Sequence, residues 1–414
     1  MDKTISKKAV ISPPTLPPRA PLWLLVLITI SGTLAMHMFV PALPDAARAL
    51  GVDRAAMQMT ITIYILGLAF GQLIYGSLSD ALGRKPMLII GLGLYALSGL
   101  AAALAFSVQM LVAARLFQAL GGCAGLALGR AIVRDTAKAD EAVKDLALLN
   151  LMMMIGPTLA PVVGSVLTAT FGWRSIFVLL AALGGITLLY TWRRLPETAR
   201  SARKTSARTL MHDYGQLLRS PSFLGFALGG GASTTSFYGF IVAAPFIVSV
   251  QLHRPQHEVG LYLGMLVVGM LLGNALTRRL AGRVRTERLL IVGNAVSVVS
   301  GLMLLAIVLS GKLTVAFAIG LMFFFALGAG TVSPAALTKA LSVNSRVVGS
   351  AAGLYGFTQM TIGALCTYMV GFGGDPALAA AMVVTAAAML GQVGFWIGIG
   401  TERGRKQVND TQRT

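Results

Sequence analysis

A short polar stretch, Gly76-Ser77-Leu78-Ser79-Asp80-Ala81-Leu82-Gly83-Arg84-Lys85-Pro86, separates two long apolar runs of this 414-residue chain. Gly83 can adopt the positive φ of a sharp turn, and Pro86 suits the first turn of a helix. Arg84 and Lys85 predict that the loop lies on the cytoplasmic side of a membrane, because short loops rich in Arg and Lys remain there. The stretch therefore predicts two membrane helices joined by a tight loop.

The composition excludes a water-soluble globule. Hydrophobic residues make up 56% of the chain, charged residues make up 12%, and the mean hydropathy is +0.76. Soluble domains carry about twice that charged fraction. Cys123 and Cys366 both lie in apolar runs, so neither a disulfide framework nor a metal site is expected. The chain is predicted to be a polytopic membrane protein without a cofactor.

Twelve apolar runs are long enough to cross a bilayer, which takes about 20 helical residues. They are numbered as spans 1 to 12 and lie at 22–43, 55–77, 86–107, 109–131, 144–170, 172–192, 222–249, 258–277, 288–310, 312–334, 347–372 and 377–399.

The distribution of positive charge predicts the topology. With the N-terminus in the cytoplasm, cytoplasmic segments hold 28 of the 34 Lys and Arg residues, outer segments hold five, and Arg115 lies within a span. This asymmetry predicts a protein of the cytoplasmic (inner) membrane with both termini in the cytoplasm. The net charge of +19 is thus a topology signal, with contact to anionic lipid as a by-product. Nucleic acid is not an expected partner.

The longest polar stretch divides the spans six and six. The expected organisation is an N-terminal tail at 1–21, a bundle at 22–192, a linker at 193–220, a second bundle at 221–399 and a C-terminal tail at 400–414. Repeated six-helix halves are a transporter architecture. A degenerate copy of the opening loop is expected between spans 8 and 9, with Gly273 at the place of Gly76 and Thr277 at the place of Asp80.

The opening loop resembles the signature loop between helices 2 and 3 of the major facilitator superfamily, G-x-L-x-D-x-x-G-R-K-P. Every defining position is filled, by Gly76, Leu78, Asp80, Gly83, Arg84, Lys85 and Pro86. An ordinary positive-inside turn would account for the two basic residues but not for the acid and the glycines. The resemblance implies an all-α fold of two pseudo-symmetric six-helix bundles with alternating access. It also implies a conformational switch formed by Gly76, Asp80, Gly83, Arg84 and Lys85.

A charged residue lies inside span 4, where Arg115, Gln118, Gly121 and Gly122 form the pattern R-x-x-Q-x-x-G-G. A charge at mid-membrane costs ~2.5–3.5 kcal/mol on insertion scales, which makes Arg115 a functional candidate. The alternative is an arginine that extends to the outer surface. The pattern resembles the superfamily's helix 4 motif, which is associated with proton transfer.

Span 5 carries Gly156, Pro157, Pro161 and Gly164 within an apolar run. A proline inside a membrane helix frees a carbonyl and bends the helix. The alternative to a functional role is a kink needed only for packing. The segment resembles the helix 5 motif of antiporters, which favours export.

Other stretches resemble the bicyclomycin and chloramphenicol resistance branch of the drug:proton antiporters. They are 38–44 in span 1, 130–135 after span 4, 195–198 after span 6 and 349–359 in span 11. That branch usually has an acidic residue where this chain has His37, and no Asp or Glu lies in the middle of a predicted span. His37 is either a hydrogen-bonded packing residue or a proton carrier. It is predicted to lie at the same depth as Arg115, so the two could meet.

Polar side chains within the spans are candidates for the substrate and proton pathway. They are His37, Tyr64, Arg115, Gln118, Asn150, Tyr238, Tyr355 and Gln359. The alternative is that most are structural, since polar side chains often bond to their own helix backbone. With Met152 to Met154 and Phe323 to Phe325, they predict a mainly apolar pocket with a few polar anchors.

The favoured function is export of small organic molecules, including amphenicol-like or other drugs, by proton antiport. The expected partners are a small-molecule substrate, protons and membrane lipid, and the protein is expected to be a monomer. One alternative is an exporter or facilitator of a natural metabolite. A membrane-embedded enzyme is disfavoured, because His212, His253 and His257 lie in loops and no nucleophile or metal constellation falls in a span.

Overall fold

The computed structural model describes residues 20–136, 139–198, 207–344 and 347–411 of the chain. Twelve long helical spans cross back and forth within that part. Their bounds are Leu22–Phe39 continuing through Val40–Ala42 into Leu43–Leu50 (span 1), Arg54–Leu82 (2), Arg84–Ala103 (3), Val108–Thr136 (4), Ala139–Phe171 (5), Arg174–Arg194 (6), Pro221–Thr235, Phe237–Pro245 and Phe246–Gln251 (7), Gln256–Leu280 (8), Thr286–Leu309 (9), Val315–Ser342 (10), Val348–Val370 (11) and Pro376–Thr411 (12).

The spans form two six-helix bundles, as expected. Spans 1–6 pack together as the N-terminal bundle and spans 7–12 as the C-terminal bundle, and the bundles meet mainly where span 2 packs on span 11 and span 5 on span 8. Within the described residues, eleven helices are long and apolar enough to cross a membrane. The twelfth is span 11, whose 23 residues include Ser350, Thr358 and Gln359. The fold is the twelve-helix arrangement that the sequence predicts.

Close glycine contacts show how the two bundles correspond. A Cβ at Gly67 would lie 3.1 Å from the Leu116 carbonyl oxygen, and one at Gly269 would lie 2.7 Å from the Phe323 carbonyl oxygen. One turn later, Gly71 packs on Cys123 in span 4, and Gly273 packs on the Leu327 carbonyl in span 10.

These contacts make Gly273 the counterpart of Gly71. The predicted correspondence of Gly273 with Gly76, and of Thr277 with Asp80, is therefore wrong. Counting onward from Gly273 puts Gly282 at the place of Asp80. The error arose because glycines recur at intervals of four or five residues along this helix, so spacing alone does not fix the register.

Several helices extend beyond the predicted spans. Span 12 continues to Thr411, so residues 400–411 of the predicted C-terminal tail are helical. A twelve-residue helix, Ala207–Leu218, occupies part of the predicted linker. Its apolar residues Leu210, Met211, Tyr214 and Leu217 recur at helical spacing, a signal too short to stand out in a polar stretch. Helices continue into water because their backbone hydrogen bonds are internal.

The loop at Gly83 and the linker helix Ala207–Leu218 lie on one face of the molecule, here named the linker face. The opposite face, which carries the loops at Gly51 and Gly172, is named the far face. The charge asymmetry predicts that the linker face is cytoplasmic. Gly76, Asn150 and Pro157 lie in their predicted helices. Asp80 was predicted to lie in the loop, but span 2 continues as a helix to Leu82, because no glycine or proline interrupts residues 77–82. The side chains of these four residues are outside the described part of the structure.

Candidate functional site

A cavity of about 1040 Å³ lies in the linker-face half of the molecule, between spans 4 and 5 of the N-terminal bundle and spans 8 to 10 of the C-terminal bundle. Beside it the bundles are in contact, where Phe70 of span 2 packs on Phe357 of span 11. The N-terminal bundle lines the cavity with Arg130 and Met153, and the C-terminal bundle with Asn274, Arg278 and Thr338 among others. Its lining is mainly apolar, with a few polar and two cationic side chains. A volume of this size can accommodate a small organic molecule.

The far-face ends of the two bundles are in contact. Gln256 Nε2 of span 8 donates a hydrogen bond to the Pro41 carbonyl oxygen of span 1, at 2.9 Å. Arg54 Nη2 of span 2 donates to the Gly373 carbonyl oxygen between spans 11 and 12, at 2.6 Å. These bonds cross from one bundle to the other and close the far face above the cavity.

The predicted helix 5 motif takes part in this closure. A Cβ at Gly260 of span 8 would lie 2.6 Å from the Pro161 carbonyl oxygen, so the two backbones are in direct contact. One turn away, Gly164 packs against the Met38 carbonyl of span 1. Gly156 packs more loosely against Leu34. Pro161 and Gly164 thus lie where span 5 meets both its own bundle and the other.

Arg115 is fully buried inside the N-terminal bundle, so it does not extend to the surface. Its Nη1 donates to Gln118 Oε1 at 2.7 Å, and its guanidinium carbon lies 3.9 Å from the centre of the Tyr64 ring. The rings of Phe39 and Phe177 lie 5.6 and 5.7 Å away. A cation held over ring faces away from water is attracted to their negative faces.

Polar atoms of this cluster remain without a described partner. Arg115 Nε and Nη2 and Gln118 Nε2 are buried and have no hydrogen-bond acceptor among the described residues. Tyr64 donates its hydroxyl to the Gly32 carbonyl oxygen at 2.7 Å and cannot donate elsewhere. Buried donors of this kind are costly when they have no acceptor, so the cluster retains an unmet capacity to donate hydrogen bonds.

His37 faces a different environment from that of Arg115. Its ring lies edge-on to Tyr238 of span 7, with 6.1 Å between the ring centres. Phe39, two residues later, packs on Arg115, and two residues turn about 200° around a helix. The expectation that His37 and Arg115 meet is therefore not supported. The depths of His37 and Arg115 in the membrane could be estimated from the rise per residue of a helix. The direction in which each side chain points could not be inferred from the sequence.

The tautomer of neutral His37 follows from its hydrogen bond. Nδ1 lies 2.9 Å from the Thr33 carbonyl oxygen. A carbonyl can only accept, so Nδ1 carries the hydrogen and Nε2 is the acceptor in the neutral ring. His37 is only 6% exposed and lies where spans 1 and 7 meet. Its Nε2 is thus a hydrogen-bond acceptor at the contact between the bundles.

Spans 7 and 11 bring two other candidates together. Gln359 Nε2 donates to Thr234 Oγ1 at 2.8 Å, and Thr235 Oγ1 lies 2.8 Å from the Gln359 carbonyl oxygen. The Tyr355 hydroxyl is buried against Gly230 without a described partner. Gln359 is thus engaged in helix packing, whereas the Tyr355 hydroxyl retains the capacity to bind a polar group.

The opening loop is held by residues of its own bundle. Gly83 has φ of 97° and ends span 2, and a Cβ there would lie 2.7 Å from Glu197 Oε2. Glu197 accepts hydrogen bonds from the backbone nitrogens of Arg84 and Lys85 at 3.0 and 3.2 Å. Arg84 Nε donates to Asp135 Oδ2 at 3.3 Å. A carboxylate at the start of span 3 is also favoured by the helix dipole.

Two further contacts involve residues that were not predicted. Residues 195–198 were noted in the sequence only for their resemblance to the resistance branch. In the structure, Glu197 of this segment caps the start of span 3. In the linker helix, Asp213 Oδ2 accepts a hydrogen bond from Ser350 Oγ at 3.0 Å, near the start of span 11. Burial and the adjacent Asp213 carboxylate raise the pKa of Tyr214 in the same helix. Neither contact could be inferred from spacing, because each joins segments far apart in sequence.

A polar cluster in the C-terminal bundle was also missed. Asn294 is fully buried, and its Nδ2 donates to the Ala388 carbonyl oxygen and to Gln392 Oε1, each at 2.9 Å. Its Oδ1 accepts from Ser233. The cluster joins spans 7, 9 and 12. The only available signal was one asparagine inside an apolar run. Because its bonds stay within the bundle, we assign it to packing.

Comparison with known proteins identifies relatives along most of the chain. Residues 25–367 match the family model described as Major Facilitator Superfamily. A bicyclomycin resistance protein homolog of Haemophilus influenzae is 27% identical over 369 residues, which cover 88% of this chain and 90% of that protein. A multidrug transporter, MdfA, of Edwardsiella piscicida is 30% identical over 285 residues, which cover 68% of this chain and 69% of that one.

A solved structure shares the fold. A bacterial homolog of the human lysosomal transporter Spinster, in an inward-facing and occupied conformation, superposes with a TM-score of 0.70 and 16% identity. The match covers 92% of this chain and 96% of that one. This likeness concerns the fold alone.

Proposed function

This chain belongs to the major facilitator superfamily and is a transporter, not an enzyme, and we propose that it exports small organic molecules from the cytoplasm by proton antiport. One observation carries the proposal: an open cavity of about 1040 Å³ lies between spans 4 and 5 and spans 8 to 10 in the linker-face half, while the far-face ends of the bundles are in contact. This arrangement supports loading of the cargo from the linker face. Relatives named for bicyclomycin resistance and multidrug transport support drugs as cargo. We include amphenicol-like drugs in the proposal because of the resemblance of the sequence to the bicyclomycin and chloramphenicol resistance branch.

We propose that the cargo is neutral or anionic. The cavity lining includes the cations Arg130 and Arg278, and the acid that the resistance branch carries in span 1 is replaced by His37. Arg115 adds a buried positive charge within the N-terminal bundle. Clefts lined by one sign of charge concentrate ligands of the opposite sign and exclude those of the same sign. Organic cations are accordingly poor cargo in this proposal.

Proton coupling passes through His37 in this proposal, or through titration of the cargo itself. His37 lies between the bundles, and its Nε2 is the free acceptor of the neutral ring. Arg115, with Gln118 and Tyr64, holds a fixed charge nearby in the same bundle. A histidine is suited to this task because its ordinary pKa is near the pH of the cell.

Alternating access requires the closed far face to open and the linker face to close. In our proposal the loop Gly76–Pro86 sets this equilibrium, with Asp80 stabilising the state in which the linker face is closed. Arg84 and Glu197 fix the loop to the N-terminal bundle, so the loop moves with that bundle as one body. The proposed setting is a monomer in the inner membrane with both termini and the linker face in the cytoplasm.

A second candidate is a facilitator of a natural metabolite, without proton coupling. The replacement of the branch's acid by His37 favours it, because a carboxylate is the usual proton carrier in a membrane helix. The two candidates differ in whether cargo can be moved against its own gradient.

A drug-tolerance screen with a transport assay tests the proposal. The chain is expressed in a drug-sensitive host and tested against neutral, anionic and cationic compounds, with Gly260→Val as a matched variant defective in far-face closure. If the chain is an exporter, the host's tolerance to neutral or anionic compounds should rise, and Gly260→Val should abolish this rise. Unchanged tolerance across the panel, together with downhill uptake of metabolites, would favour the facilitator.

A further inference from the structure

Spans 8 and 10 enclose an apolar wedge on the lipid-facing side of the C-terminal bundle. The two helices are in close contact at Gly269, which packs on the Phe323 carbonyl, and the groove lies on the far-face side of that contact. The resulting groove has a volume of about 370 Å³ and is lined by Tyr262, Met265, Ile319 and Phe323 among others. The expected contribution of Phe323 and Phe324 to the substrate pocket is therefore not supported.

The dimensions of the wedge match part of a lipid chain. From Val315 to Phe324 it follows span 10 for about 13 Å, at 1.5 Å per residue. One leaflet of the hydrocarbon core is about 15 Å thick. Met265 and Phe324 are each about half exposed, at 52% and 54%, so the wedge opens sideways to the membrane.

Charged groups surround the far-face end of the wedge at the level of lipid head groups. The Tyr262 hydroxyl donates to Glu258 Oε2 at 2.6 Å, and Glu258 accepts two hydrogen bonds from Arg254, each at 3.0 Å. On the other wall, the exposed Lys312 precedes span 10. Tyrosine side chains are enriched at the membrane interface, which fits the position of Tyr262. Arg254, Glu258 and Lys312 together carry a net positive charge. A phosphate head group would complement that charge.

We propose that this wedge binds one acyl chain of a phospholipid in the far-face leaflet, with the phosphate beside Lys312. Tyr262 and Gly260 are two residues apart and thus on opposite sides of span 8. The lipid packs on one side of the helix while Gly260 contacts the Pro161 carbonyl on the other. This site is separate from the cavity between the bundles and does not depend on the proposed cargo.

Gly320 provides a direct test, because it lines the wedge and a Cβ there would meet no atom within 4 Å. Gly320→Leu should fill the wedge without disturbing the helices. The matched control is Gly185→Leu in span 6, where a Cβ also meets no atom within 4 Å. If Gly320→Leu fails to fold, Ala316→Leu in the same wall replaces it.

The measurement is photocrosslinking in proteoliposomes that contain a phospholipid with a diazirine in mid-chain, followed by peptide mapping. We expect crosslinks at Met265 or Phe323. Their yield should fall about tenfold in Gly320→Leu, because the new side chain displaces about two methylenes of the bound chain from the wedge, and should be unchanged in Gly185→Leu. Lys312→Gln should weaken the preference for anionic over zwitterionic lipid about fivefold.

Three results would overturn the proposal. The first is labelling spread evenly along the apolar surface. The second is equal labelling of the parent and Gly320→Leu. The third is displacement of the lipid label by excess chloramphenicol, which would make the wedge a drug site.

Discussion

Gly260 meets the carbonyl of Pro161 across the bundle interface so closely that a Cβ on Gly260 would lie 2.6 Å from the oxygen. Real Cβ atoms are not found at such a distance, so the far face closes in this way only because residue 260 is glycine. The proline that the sequence marked as a helix 5 motif is thus part of a backbone contact between spans 5 and 8. We therefore expect closure of the far face to depend on this contact.

Gly260→Val should shift the protein towards a state with an open far face, because the branched side chain clashes with the Pro161 carbonyl. The assay is labelling of Thr62→Cys, a position buried in the far-face contact, by an impermeant thiol reagent. We expect about tenfold faster labelling, corresponding to a shift of about 1.4 kcal/mol. Gly185→Val is the matched control. Equal labelling of the parent and Gly260→Val would show that closure does not depend on this contact.

Arg278→Gln should weaken binding of anionic compounds about fivefold and leave that of neutral compounds unchanged, since one favourable charge interaction near water is worth about 1 kcal/mol. Isothermal titration of purified protein measures both affinities. Arg279→Gln is the matched control, because Arg279 is exposed on the same helix but does not line the cavity. Equal losses in the two variants would assign the effect to overall charge.

Asp80→Asn should impair transport while expression and ligand binding remain measurable, because the amide removes the charge that is proposed to stabilise the state with the linker face closed. The control is Asp53→Asn, which removes a carboxylate at the other end of the same helix, where Asn also serves as an N-cap. Full transport activity of Asp80→Asn would show that the opening loop acts only as a topology signal.

Cysteines at Met211 and Ser310 should lie on opposite sides of the membrane, as the distribution of positive charge requires. Met211 is 77% exposed in the linker helix, and Ser310 is exposed on the far face. In a Cys123→Ala, Cys366→Ala background, an impermeant thiol reagent applied to intact cells should label Ser310→Cys alone. Labelling of Met211→Cys in intact cells would invert the topology.

Sequence reasoning predicted the features that depend on composition and length. Twelve spans and two bundles follow from apolar runs of sufficient length and a central basic linker. The buried arginine in span 4 was also found from its cost in a membrane. Helix ends were less accurate, as in span 12, because a helix can continue past the hydrocarbon without any change in its backbone bonding.

Features that depend on direction or on distant contacts could not be predicted. His37 and Arg115 were placed at one depth from helical rise, but their facing depends on how span 1 rotates against its neighbours. The register of the second loop copy was ambiguous because glycines recur at intervals of four or five residues along span 8. The roles of Glu197 and Asp213 depend on loops folding onto helices that are distant in sequence.

Proton movement coupled to a neutral drug tests the central claim most directly. Proteoliposomes with an acidic lumen and an enclosed pH-sensitive dye are given chloramphenicol, which does not titrate near neutral pH, so any coupling must come from the protein. The account predicts that the drug alkalinises the lumen with the parent protein and not with His37→Ala. Transport of the drug by the parent with no change in luminal pH would contradict the account.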